Sequence, residues 1–180
     1  MKRDSGNTVA LTLGQVEPCT VAMMGAGNLN RNQSKALIYY CAMTWSDEPK
    51  IRPIININGE SASGKSGVMK QMKVWSKAPV WITARNMTPA TLRDSLADTV
   101  TVFVEEADKT TDPIKAENYY QNRYDESGKA IPYKRQTVNE KGYQINVDET
   151  HNHFGYTILC HGALKTGHLW AAQKRPAVGG

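Results

Sequence analysis

The chain of 180 residues has little cysteine, with three widely spaced residues, Cys19, Cys41 and Cys160. An odd number at such spacing argues for reduced thiols over a secreted disulfide framework, and against a structural zinc knuckle. No apolar run approaches the roughly 20 residues that span a bilayer, and Met1 to Gly6 leads into no signal-peptide core. The sequence therefore predicts a soluble cytoplasmic protein without a membrane partner. Composition also lacks the biases of collagen, coiled coil or a disordered tail. At this length a folded chain buries roughly 70% of its unfolded surface, so one domain can form a core without staples.

Charge of one sign is scarce as well. The 22 Lys plus Arg exceed the 17 Asp plus Glu, but no block is strongly basic, and residues 111–150 carry 6 basic against 7 acidic groups. This permits nucleic-acid contact without demanding it.

What is present alternates between helix and strand signals. A segment rich in small and polar residues (Gly14, Pro18, Gly25, Gly27, Asn28, Asn30) precedes a helix predicted over 34–45. Residues 1–50 are thus expected to form a helical and loop segment ahead of a core over 51–180. Ile51 to Asn58 reads as a buried strand, Lys65 to Lys77 as a helix and Val80 to Thr83 as a strand. Thr88 caps a helix that Pro89 opens, and Val100 to Val104 is β-rich again. This alternation predicts an α/β fold with a parallel sheet and helices on both faces.

The strongest motif is Gly59-Glu60-Ser61-Ala62-Ser63-Gly64-Lys65-Ser66, followed by Gly67, a full match to G-x-x-x-x-G-K-[ST] between a strand and a helix. The glycines let backbone N–H groups approach phosphate oxygens at a helix N-terminus. Lys65 would reach the β and γ phosphates, and the Ser66 hydroxyl would hold Mg²⁺. Forty residues after Lys65, the run Val100 to Val104 ends in Glu105-Glu106-Ala107-Asp108. Alone, such acids are often a solvated turn. Behind a phosphate loop they suit metal-assisted hydrolysis of ATP, with Glu105 assigned to the metal and Glu106 to the attacking water. That second glutamate favours hydrolysis over phosphoryl transfer by a P-loop kinase.

With these residues in place, GESASGKS and VFVEEAD resemble the P-loop ATPases of the RecA-like and AAA+ division. The likeness is closest to compact helicase and primase-helicase ATPases of phages, plasmids and small DNA viruses, including the superfamily 3 helicases. Thr88 to Leu96 also looks like a segment of prophage-encoded ATP-binding proteins. The resemblance covers about residues 51–108 and implies a P-loop NTPase core that couples ATP hydrolysis to DNA replication in a mobile element. A nucleotide-dependent switch or assembly ATPase acting on protein is the first alternative, and a P-loop kinase the second. The resemblance further implies a γ-phosphate sensor at the end of a later strand. Phe154 to His161 supplies Cys160 or His161 there, where the family usually has Asn, Ser or Thr. It also implies a ring of identical subunits, with Arg175 the candidate arginine finger. The chain stops at Gly180, before a helical lid, so the core is expected to lack that lid by design or by truncation.

Lys109 to Thr150 is too long and polar for a simple connection and reads as an insertion. Within it, Tyr133 to Val138 and Tyr143 to Val147 flank a turn at Asn139 to Gly142, which predicts a hairpin. Tyr133, Lys134, Arg135, Lys141 and Tyr143 alternate rings with positive charge, the chemistry that binds single-stranded DNA. A related hairpin occupies this place in viral helicases. His151-x-His153 with Cys160-His161 fits no common closed zinc site. Gly25-Ala26-Gly27 lacks the third glycine of a dinucleotide fingerprint and reads as a loop.

Overall fold

A computed structural model describes residues 13–161. Two helices come first, α1 (Leu13–Ala26) and α2 (Arg31–Met43), followed by β1 (Ile54–Ile57), α3 (Lys65–Trp75), β2 (Pro79–Thr83), α4 (Pro89–Leu96) and β3 (Thr101–Glu105). Then come α5 (Pro113–Gln121), the antiparallel pair β4 (Ile131–Val138) and β5 (Gln144–His151), and β6 (Tyr156–Cys160).

The main sheet is wholly parallel, in the order β1-β6-β3-β2, so the chain inserts its last described strand between the first and the third. Every strand ends at the same edge. Side chains alternate across the sheet with period two. Ile55, Ile57, Trp81, Phe103, Tyr156, Ile158 and Cys160 join Met23, Ile38, Cys41, Met69 and Met72 of α1 to α3. Ile54, Ile82, Val102, Val104 and Leu159 instead meet Leu92, Leu96, Ala116 and Tyr120 of α4 and α5. The expected α/β architecture with helices on both faces is what the chain forms. The central strands β3 and β6 are buried on both sides, which explains their continuous apolar runs. The strand expected buried over Ile51 to Asn58 is instead the shorter, partly exposed β1 at the sheet edge, with Ile51 exposed.

Two elements differ from expectation. Leu13–Ala26, within the segment rich in small and polar residues, forms α1, with Pro18 inside the helix. The second helix starts three residues before Ser34, because Asn30 accepts from the Gln33 backbone N–H while the Gln33 side chain accepts from the Asn30 N–H. Both helices pack on the same core as the sheet. Tyr40 of α2 donates to Pro53 O at 2.8 Å and accepts from the Thr157 N–H at 3.0 Å, tying α2 to β6.

The insertion after β3 holds α5 and the β4/β5 hairpin, which pairs only with itself. Its base sits at the start of β6, the edge opposite the strand ends. There Asp98 N–H donates to Asn152 O at 2.7 Å, and Asn152 N–H donates to Asp98 Oδ1 at 3.1 Å. The fully buried Arg123 fastens this end, donating to Thr157 Oγ1, Leu96 O and Thr99 O at 2.7–2.9 Å.

Candidate nucleotide and cation site

At the carboxyl edge of the sheet the loop from Gly59 to Gly64 links β1 to α3. It turns through left-handed backbone at Ala62 (φ 60°) and Gly64 (φ 87°). A Cβ on Gly59 would lie 2.7 Å from Ser63 Oγ within the loop, and one on Gly64 2.7 Å from Gly27 Cα just after α1, so a side chain at either glycine would force neighbouring atoms to shift. No side chain caps the N-terminus of α3. The uncapped first turn presents backbone donors and the positive end of the helix dipole to an anion, which is the fit a nucleotide phosphate needs.

Lys65 lies over this loop, its Nζ donating to Gly59 O at 2.8 Å and to Glu60 O at 2.7 Å. Ser66 Oγ donates to Glu105 Oε1 at 3.2 Å, joining the end of the glycine loop to the end of β3 across 39 positions of chain. The structure thus brings together the hydroxyl and the carboxylate that the sequence assigns to a metal. The indole N–H of Trp81 donates to the other oxygen, Glu105 Oε2, at 3.4 Å.

Glu106 has a separate set of partners. The backbone turns left-handed there (φ 53°), and the carboxylate meets Arg85 Nε at 3.1 Å and Lys109 Nζ at 3.0 Å. Arg85 carries no motif and only the fold brings it to the acidic strand end, whereas Lys109 is a local partner three residues after Glu106. The close approach of Gly27 to Gly64 is also a tertiary event: Gly27, read as loop, lets the chain leaving α1 lie against the phosphate loop, whereas a Cβ on Gly25 would meet nothing within 4 Å.

Cys160 and His161 end β6, between the strands that carry the loop and the acids. Burial pushes the Cys160 thiol up, against the pull of Lys65, so it stays protonated at neutral pH. Burial pushes the His161 imidazole down, opposed by Asp108 and Glu117, so it is neutral there. His161 Nε2 lies 3.2 Å from Asn56 Oδ1 of β1, on the α5 side of the sheet, whereas Cys160 belongs to the α1–α3 side. Arg175 lies outside the described residues.

Of the five hairpin residues, Tyr133, Lys134, Lys141 and Tyr143 do not share one surface. Tyr133 is half-buried near the base, with the Arg93 guanidinium 4.2 Å from its ring centre and the His151 ring 5.3 Å away. Lys134 is exposed and opposite Asp148 in the ladder, and Arg135 is opposite Val147. Lys141 and Tyr143 lie at the tip, where Tyr143 is 68% exposed. Tip and Tyr133 are separated by roughly 17 Å of strand. Asp98, at the base, has its carboxyl held below the usual range by the Asn152 N–H and by His151.

Among the described residues no group of three or more His, Cys, Asp or Glu side chains is arranged to hold a metal ion. Also among them, no helix is long and apolar enough to cross a membrane. No protein-family model matches the chain, and no curated protein matches it significantly.

Proposed function

We propose that the chain is a P-loop ATPase core of the RecA-like and AAA+ division that binds and hydrolyses Mg·ATP and drives a DNA helicase or translocase of a mobile element. The observation that carries this reading is the 3.2 Å contact between Ser66 Oγ and Glu105 Oε1, because two motifs separated in sequence converge beside an uncapped helix N-terminus. The strand order adds support. With β6 between β1 and β3, the loop-bearing and acid-bearing strands stand about 10 Å apart, leaving a crevice at the carboxyl edge where α/β sheets take ligands.

In this reading the loop backbone and Lys65 bind the β and γ phosphates, and Ser66 with Glu105 holds Mg²⁺. The ion supplies charge neutralisation on the phosphate oxygens when bound. Glu106 takes the proton of the attacking water, once its carboxylate is released from Arg85 or Lys109. Exposed Lys134, Lys141 and Tyr143 offer charge and a stacking ring to single-stranded DNA. Two cations holding Glu106 favour one second reading, a nucleotide-dependent switch that acts on a protein and turns ATP over slowly.

Measuring Mg²⁺-dependent ATP turnover with and without single-stranded DNA tests both. Turnover stimulated by DNA supports the motor. Tight binding with slow turnover that DNA leaves unchanged moves the assignment to the switch, and no Mg²⁺-dependent nucleotide binding overturns the two together.

A further inference from the structure

We propose that Trp81 is a positioning residue for the cation-holding carboxylate, and that it sets the preference for a small cation over a large one; this rests on the nucleotide reading above. Register puts Trp81 opposite Phe103 and Thr83 opposite Glu105, so the indole stands two residues before Glu105 on the same face of the sheet. The ring is fixed from below, stacked on the fully buried Phe103 with centroids 5.9 Å apart and planes 9° from parallel. Lys73 of α3 lies 5.9 Å from its centroid. Held this way, the indole N–H reaches Glu105 Oε2 at 3.4 Å while Ser66 takes Oε1 at 3.2 Å.

The chemistry of the donor matters. An indole offers one N–H and no acceptor, so it neither ligates a cation nor takes a proton. It can only occupy a carboxylate oxygen. With the indole N–H on Oε2, bidentate ligation by Glu105 is disfavoured, and Oε1 would be the ligating oxygen once the Ser66 hydroxyl turns its own oxygen to the cation. Mg²⁺ is bound through single carboxylate oxygens in a rigid octahedron, whereas Ca²⁺ accepts bidentate carboxylates in looser shells. Trp81 therefore makes Glu105 a one-oxygen ligand and disfavours the larger ion. Partners of this outer kind are typically worth 10- to 100-fold in metal affinity.

The test is an equilibrium titration of the full chain with Mg²⁺, and separately with Ca²⁺, in the presence of a non-hydrolysable ATP analogue. Two variants are used. Trp81→Phe keeps a ring on Phe103, and replacement of Trp81 by β-(3-benzothienyl)alanine exchanges only the N–H for sulfur. The Mg²⁺ midpoint is expected to rise about tenfold in both, and the Ca²⁺ midpoint to stay or fall, because Oε2 is then open to bidentate binding, which narrows the discrimination between the ions. Adding Trp81→Phe to Glu105→Gln is expected to cost nothing further, because the effect runs through that carboxylate. An unchanged Mg²⁺ midpoint in the benzothienyl variant, or full additivity with Glu105→Gln, overturns the proposal while leaving the nucleotide site standing. Absence of any cation-dependent analogue binding in the wild-type chain overturns the nucleotide reading itself.

Discussion

Lys65 opens α3 with its ammonium on two loop carbonyls, so its contacts belong to the cradle and not to the core. Ala at that position is the better helix former. Lys65→Ala is therefore expected to fold as wild type and to lose nucleotide affinity, read by calorimetric titration with Mg·ATP; unaltered affinity would remove the phosphate-loop assignment. Glu106 poses a different question, since its two ion pairs are at the surface and exposed pairs are worth about 1 kcal/mol or less. Glu106→Gln should leave the melting temperature nearly unchanged and still bind Mg·ATP, yet turn it over at least ~100-fold more slowly, because the amide keeps the shape and cannot take a proton. If Glu105→Gln is instead the variant that binds normally and stalls, the roles of the two carboxylates are exchanged.

Elements differ in how far sequence alone reveals them. Helices α3 and α4 were legible because each begins at a local chemical signal, the glycine loop for one and the Thr88-Pro89 cap for the other, and each has a one-sided apolar stripe buried as Val68, Met69 and Met72 or as Leu92 and Leu96. Helix α1 buries Val16, Thr20 and Met23 on one face with Cys19 beside them, but that stripe holds a threonine, Val21 and Met24 lie exposed off it, and Pro18 with Gly14 and Gly25 mimics a loop. Helix α5 carries an Asp112-Pro113 start of the same kind as Thr88-Pro89, with Asp112 accepting from the Lys115 N–H, and was hidden only by the polarity of its surroundings. At the site, Ser66 and Glu105 were legible because motif chemistry names them. Trp81 and Arg85 were not, since their roles arise from the register of β2 against β3 and from the turn after β2, and Lys109, though only three residues from Glu106, carries no motif. Arg123 is the extreme case, a cation whose importance is wholly tertiary. Burial lowers its pKa to about 10, and it is held by carbonyls and a hydroxyl from the α4–β3 turn and β6. Arg123→Met is expected to cost roughly 3 kcal/mol or more in urea unfolding, because several buried acceptors lose their donor together.

For the molecule as a whole, the two candidate activities sit at opposite edges of one sheet: the phosphate loop and acids at the strand ends, the hairpin base at the start of β6. This separation lets DNA contact and nucleotide chemistry be tested independently. The hairpin's exposed positive and aromatic groups are Lys134 on one face and Lys141 with Tyr143 at the tip, whereas Tyr133 is engaged by Arg93 and His151. Lys134→Ala with Lys141→Ala is accordingly expected to weaken single-strand binding and flatten its dependence on salt, because fewer counterions are released per complex. Tyr143→Ala should cost roughly 1 to 3 kcal/mol of DNA affinity through lost stacking. Tyr133→Ala is expected to act differently, lowering thermal stability through the lost Arg93 contact, worth about 0.5 to 1 kcal/mol at a partly exposed site. ATP turnover without DNA should survive the lysine pair, since no atom of the phosphate site comes from β4, β5 or their turn. Fluorescence anisotropy with a labelled oligonucleotide across a salt series reads the DNA effects, thermal melting reads Tyr133→Ala, and phosphate release without DNA reads the turnover. Wild-type affinity and an unchanged salt slope in the lysine pair would exclude the hairpin as the DNA contact and transfer the assignment to a protein partner, whose binding would then have to respond to the nucleotide at the far edge of the sheet.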